Sequence, residues 1–352
     1  MFSIKTLLRS SAIGAALGLA GWGVYELARP ANIGTVGISY GEAFSPARQS
    51  NIDFHIWYPA VAGGKQVTVG GNGVFYGTKA GRRAPHDGGR HPVVVMSHGA
   101  GGNAGQFGWI ASALAQEGYV VVLPNHPGTT TGNASAEAAV RVWERPLDVT
   151  AVLDDITAHA DAYPFMDTDR IGVLGFSAGG YTAMALSGAR VVPQKLQTFC
   201  DETDHGMSDC AFLAHFGVDL HRMDLSPAAQ DLTDLRVRTA VIVDPGIVET
   251  LAVDSLTQIS IPMAIINLGD EGKVPVGVDA QTAADLIPRA EFIRVNQATH
   301  FSFLAKCKAR GPEILAKEGE LDPLCADSGT RSRSDIHAQL VDLITDHLAE
   351  HL

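Results

Sequence analysis

The chain is short of positive charge: 26 Lys and Arg stand against 38 Asp and Glu, giving a formal net charge of −12 and a pI near 5.5. Nucleic-acid phosphates would be repelled by that balance, which argues against nucleic acid as a partner. No apolar run reaches the ~20 residues that a comfortable membrane span needs. There is no internal repeat and no low-complexity tract. Cysteine is sparse, with four residues and no CxxC-like spacing, so a zinc site is a weak reading. Charged residues make up only 18%, against 46% hydrophobic, as in an ordinary globular protein able to bury a large core. A length of 352 residues fits one α/β domain.

The N-terminus differs in kind from the rest. Lys5 and Arg9 precede an almost uncharged stretch from Ser10 to Tyr25, rich in Ala, Gly and Leu. It reads as a secretory signal, with a small-x-small site at Gly18-Leu19-Ala20, or as an uncleaved N-terminal membrane anchor. Residues 1–30 are therefore expected to be signal or anchor, and 31–352 one catalytic domain of an exported protein, periplasmic or extracellular. Cys200, Cys210, Cys307 and Cys325 all follow this segment. An even count in an exported chain favours bridges. The local pairs, Cys200 with Cys210 and Cys307 with Cys325, are the expected ones, because each would staple one polar loop.

From His91 the chain alternates regularly between apolar strands and helices. Strands are expected at 92–97, 119–123 and 170–174, with helices at 105–117, 137–160 and 178–188 between and after them. Continuous apolar runs such as Val93-Val-Val-Met96 and Val120-Val-Val-Leu123 suit a sheet buried on both faces. Alternation of this kind implies parallel neighbours joined by right-handed crossovers. Two further strands, 33–39 and 52–58, start the sheet. The Gly-rich stretch 62–90 reads as an exposed loop with at most a short strand at 73–76. Residues 191–236 break the rhythm and read as an insertion or cap over the carboxyl edge of the sheet, where ligands sit in such folds. Strands at 238–243, 262–267 and 291–296, a helix at 278–287 and a terminal helix from 334 complete an α/β sheet of about eight mostly parallel strands, with helices on both faces.

The stretch around which this order is built is Gly175-Phe-Ser-Ala-Gly179, between an apolar strand and a helix-forming run. A serine hydroxyl becomes a useful nucleophile when a sharp strand-to-helix turn holds it out of the chain, beside a base, at the positive end of a helix. Ser177 is the candidate nucleophile. Acyl transfer then requires a base, an orienting acid and an oxyanion hole. Of the seven histidines beyond Ser177, only His300 falls just after a strand in the last third, and it is the candidate base. The Ala178 N–H and the Ala100 N–H, the latter in the glycine-rich loop Ser97-His-Gly-Ala-Gly-Gly102, are the candidate oxyanion donors. His98 is read as a structural histidine that bonds this loop. Two aspartates end strands at the right edge, Asp244 and Asp270. One of them is the orienting acid, and the other is expected to bond loop amides.

Together, Val95-Met-Ser-His-Gly-Ala-Gly101, Gly118-Tyr-Val-Val-Val-Leu-Pro-Asn-His126, Gly175-Phe-Ser-Ala-Gly-Gly180 and Val243-Asp-Pro245 resemble the branch of the α/β hydrolases that holds platelet-activating-factor acetylhydrolases and dienelactone-hydrolase-like proteins. The resemblance covers roughly residues 35–350. It implies the α/β-hydrolase fold and a serine carboxylester hydrolase that works without a cofactor, through an acyl-enzyme, on small or medium esters, acetylated lipids among them. A thioesterase or peptidase would use the same triad, and a binding protein with a dead site would keep the same fold. The acetylhydrolase branch draws its acid from the position of Asp244, whereas dienelactone hydrolases and cutinase-like enzymes use that of Asp270. Dienelactone hydrolases carry a cysteine nucleophile, and Ser177 departs from that pattern. The expected partner is a small-molecule ester, and the N-terminus is a candidate for membrane attachment.

Overall fold

The structure, a computed structural model, describes residues 35–201, 205–320 and 322–352. The expected signal or anchor at 1–30 lies outside the described residues. The main sheet has ten strands: β1 (Val36–Ser45), β2 (Ser50–Pro59), β3 (Lys65–Val69), β4 (Thr78–Arg82), β5 (His91–Ser97), β6 (Val120–Pro124), β7 (Met166–Phe176), β8 (Val237–Val243), β9 (Met263–Leu268) and β10 (Ala290–Val295). Their spatial order is β10-β9-β8-β7-β5-β6-β2-β1-β4-β3. From β6 to β10 all neighbours are parallel, and β2 joins this block by an antiparallel pairing with β6. Four long helices flank the sheet: α1 (Gly108–Gln116), α2 (Glu144–Ala158), α3 (Ala178–Leu186) and α4 (Arg333–His351).

The alternation of side chains along each strand divides the core in two. Val93, Val95, Val120, Val122, Ala240 and Ile242 face one way, under residues of α2 and α3 such as Val152, Tyr181 and Met184. Val94, Met96, Val121, Leu123, Val241 and Val243 face the other, under Ile110, Leu114, Leu340 and Ile344 of α1 and α4. A strand with period-two alternation and apolar residues on both faces has to lie between two helical layers, and these do.

Three expectations are corrected. The sheet has ten strands rather than about eight, because the Gly-rich stretch 62–90 forms the antiparallel pair β3–β4 at the sheet's edge. Residues 73–76 form no strand, and Phe75 makes only an isolated bridge to Cys307. The helix expected at 137–160 is also broken, into Ala136–Val140 and α2. Pro146 explains the break. In a continuous helix it would cost a hydrogen bond and clash with the preceding turn, whereas in the first turn of α2 its missing N–H costs nothing.

Both local disulfides are formed, Cys200–Cys210 with Cα atoms 5.4 Å apart and Cys307–Cys325 with Cα atoms 5.7 Å apart. Such bonds persist in oxidising compartments. Among the described residues no helix is long and apolar enough to cross a membrane.

Candidate active site

Four strand ends converge on one edge of the sheet. β5 leads into the loop Ser97–Gly102, β7 into Ser177, β8 into Asp244 and, past β10, the chain reaches His300. Ser177 adopts φ 56° and ψ −122°, a strained conformation for a residue with a side chain. The close turn explains its two glycines. A Cβ on Gly175 would come within 2.0 Å of the Gly179 carbonyl oxygen, and one on Gly179 within 1.9 Å of the Ser97 carbonyl oxygen. The elbow is tied to β8 and to the loop beyond it. The Ser177 N–H donates to the Val243 carbonyl at 3.0 Å, and the Gly246 N–H donates to the Ser177 carbonyl at 2.9 Å.

The structure brings His300 and Asp244 together. Nδ1 of His300 lies 3.0 Å from Oδ2 of Asp244, and both side chains are buried. The other carboxylate oxygen of Asp244 accepts from Asn267 Nδ2 at 2.8 Å and from the Leu268 N–H at 2.9 Å. Asn267 is itself fixed by Val278 and Ala280 backbone groups, so the carboxylate is held from behind. Such a pair fixes the imidazole tautomer with Nε2 free to take a proton. Phe176, next to Ser177 in the chain, stacks on the His300 ring with centroids 4.7 Å apart. The His300 turn is pinned in turn. Thr299 and Ser302 form a capping box, Ser302 donates to Asp327, and Arg333 bonds that same carboxylate.

Asp270 does not meet His300. Its carboxylate accepts the Gln297 N–H at 3.0 Å, fastening the start of the loop on which His300 lies.

Ala100 and Ala178 face the same small cavity as Ser177. The neighbours Gly101 and Gly102 spend their N–H groups on the Thr129 and Gly99 carbonyls. Ala178 is the first residue of α3, where N–H groups have no partner within the helix. The cavity, about 90 Å³, is walled largely by Tyr181, Leu196, Phe199, Phe212, Leu213 and Leu220. All but Tyr181 come from the segment 191–236, which therefore overlies the site. Among the described residues of the lining, Asp209 is the one charged group. Two larger surface clefts, about 460 and 440 Å³, do not include Ser177.

His98 bonds its own loop. Nδ1 faces the Gly99 carbonyl at 2.7 Å, and Nε2 lies 3.3 Å from the His126 N, which donates to it. Burial, reinforced by the charge of Arg145, drives its pKa well below the usual imidazole range, so the ring is neutral. Behind it lies a polar cluster that sequence reasoning missed: Ser97, His126, Arg145, Asp148 and Arg48. The only signal was charge within the helical stretch around Pro146, and that ordinarily marks a solvent-facing stripe.

The model of the dienelactone hydrolase family matches residues 79–196, a span that contains both the loop Ser97–Gly102 and the elbow. No curated protein matches the chain. Among solved structures, the chain is similar to a ferulic acid esterase from Streptomyces cinnamoneus, with 17% identity, a TM-score of 0.56, and 92% of this chain and 91% of that one covered. It is also similar to a puromycin-hydrolyzing peptidase of Mycobacterium tuberculosis, with 12% identity, a TM-score of 0.50, and 90% of this chain but 39% of that one covered. At these identities the likeness is one of fold.

Proposed function

We propose that this chain, a member of the α/β-hydrolase superfamily by its fold and its family match, is a serine carboxylester hydrolase acting on small or medium esters. The observation that carries the reading is the buried Asp244–His300 pair, stacked against the elbow that presents Ser177. Ser177 Oγ attacks the ester carbonyl while His300 Nε2 takes the hydroxyl proton. The Ala100 and Ala178 N–H groups receive the developing oxyanion, and Asp244 stabilises the imidazolium. The proton then passes to the leaving alkoxide, and an acyl-enzyme remains on Ser177. Water, deprotonated by His300, attacks the acyl carbon, and the proton returns to Ser177 Oγ as the carboxylic acid departs.

The small apolar cavity beside Ser177 favours a short acyl group. Asp244 as the orienting acid favours an acetylhydrolase-like enzyme over one built on Asp270. The paired cysteines favour an exported location.

Replacing Ser177 with Ala is expected to lower kcat on p-nitrophenyl acetate and butyrate by about a million-fold, the usual cost of losing an intact triad. Undiminished turnover would overturn the reading.

A further inference from the structure

Arg145, in the first turn of α2, is 1% exposed, and no proton or electron pair of the proposed reaction passes through it. Its guanidinium is nevertheless bonded on every side. Nη2 donates to the His98 carbonyl and, at 3.4 Å, to Ser97 Oγ. Nη1 donates to Thr129 Oγ1 at 2.6 Å and Nε to Thr182 Oγ1 at 3.3 Å. Three of these acceptors belong to the two segments that carry the proposed oxyanion donors, and Thr129 holds the first of those segments. The His98 carbonyl lies in the peptide that leads through Gly99 to Ala100, and the Thr129 carbonyl accepts the Gly101 N–H. Thr182 is in α3 and donates to the Ala178 carbonyl at 3.0 Å.

A hydrogen-bonded relay stands behind the guanidinium. Ser97 Oγ lies 2.9 Å from His126 Nε2, and His126 Nδ1 lies 2.9 Å from Asp148 Oδ2. Arg48 closes it with two bonds to Asp148, at 2.9 and 2.8 Å, and a third to Glu144. Two guanidinium groups thus face two carboxylates, which offsets the charge. The order Ser, His, Asp is that of a hydrolytic triad, but Ser97 is 3% exposed and His126 and Asp148 are 0% exposed, so no substrate reaches it. A buried charge in a fully bonded network holds its surroundings in one arrangement, because moving any member leaves a polar group unpaired.

We infer that Arg145, backed by Ser97, His126, Asp148 and Arg48, is the positioning residue of the oxyanion hole, fixing the Ala100 loop and the start of α3 relative to each other. The inference rests on the reading of Ser177 as nucleophile. A guanidinium suits the task because its rigid fork reaches several acceptors at once, which a lysine ammonium cannot do.

The test compares the parent with Arg145→Met, Arg145→Lys, Thr129→Val, Arg236→Met and Ser177→Ala. Arg236 braces the far side of α2 through Asp154 and the Thr150 carbonyl and does not touch the loop, so its variant reports destabilisation alone. For Arg145→Met, kcat is expected to fall about 100-fold with KM changed less than about threefold, the cost of displacing an oxyanion donor. Affinity for a trifluoromethyl ketone, which binds as the tetrahedral oxyanion, should fall by the same factor as kcat/KM. Arg145→Lys and Thr129→Val should lose about tenfold, and Arg236→Met less than about threefold in kcat at a similar loss of Tm. If Arg145→Met does not fold, the Lys and Val variants carry the decision. The inference is overturned if folded Arg145 and Thr129 variants keep kcat within threefold, if ketone affinity does not follow kcat/KM, or if Arg236→Met loses as much. It is also overturned if a fluorophosphonate labels Ser97 in the Ser177→Ala protein. Turnover surviving in Ser177→Ala would instead remove the reading of the site itself.

Discussion

Asp244 and Asp270 are the same residue type, lie just past adjacent strands, and stand at the same edge of the sheet. One is fully buried and bonded to His300, and the other holds a loop amide. The difference comes from the paths of the loops. Asp244 has φ 43° immediately after β8, and its side chain meets the end of β9 and the loop that follows β10. There Asn267 and the Leu268 amide take one of its oxygens and His300 the other. Asp270 comes two residues after the end of β9 at Leu268, in the turn that continues to Lys273, and bonds the Gln297 N–H at the start of the His300 loop. Position at a strand end therefore makes an aspartate a candidate, but the direction of its loop decides which group it can bond.

Within this contrast the largest expected effect is that of Asp244→Asn, about 10⁴-fold in kcat on p-nitrophenyl butyrate, because an amide favours the wrong tautomer of the imidazole. Steady-state kinetics would check it, and a loss below tenfold would break the contrast between the two aspartates. Asn267→Leu removes the brace behind Asp244 without touching the pair itself. It should cost about 1–3 kcal/mol of stability in urea unfolding, since it leaves the Ala280 N–H and one lone pair of Asp244 unsatisfied. A smaller loss of kcat than in Asp244→Asn should accompany it.

The two disulfides offer a second way to sharpen the contrast between groups at the site and groups that only support it. Double replacement by Ser should cost about 3 kcal/mol for either pair on the loop-closure argument. Cys200 and Cys210 flank Phe199, Asp209 and Phe212 of the cavity wall, so only their loss should change the ratio of butyrate to acetate turnover. The smallest effect is expected for Asp270→Asn, with kcat within about threefold and a stability loss near 1 kcal/mol, because an amide oxygen still accepts the Gln297 N–H.

Much of this site was legible in the sequence, and for identifiable reasons. The elbow has a short-range signature, a strand ending in Gly175-Phe-Ser-Ala-Gly179, and both glycines are required by contacts within five residues or with the adjacent β5. The placement of His300 followed from strand order, and the local disulfide pairing from proximity. What was not legible depends on long-range geometry. The choice between Asp244 and Asp270 requires the course of three loops. Strands β3 and β4 mix polar and small residues at a sheet edge, where no buried alternation marks them. Arg145 carries no short-range signal in the sequence, and it lies buried as the second residue of α2.

The measurement that bears most directly on the site is the rate and position of phosphonylation by a fluorophosphonate, followed by peptide mass spectrometry in the parent, Asp244→Asn and Asp270→Asn proteins. The reading predicts one adduct per chain, on Ser177, formed much more slowly in Asp244→Asn and at the parental rate in Asp270→Asn. An adduct on another residue, or equal rates in the two aspartate variants, would contradict it.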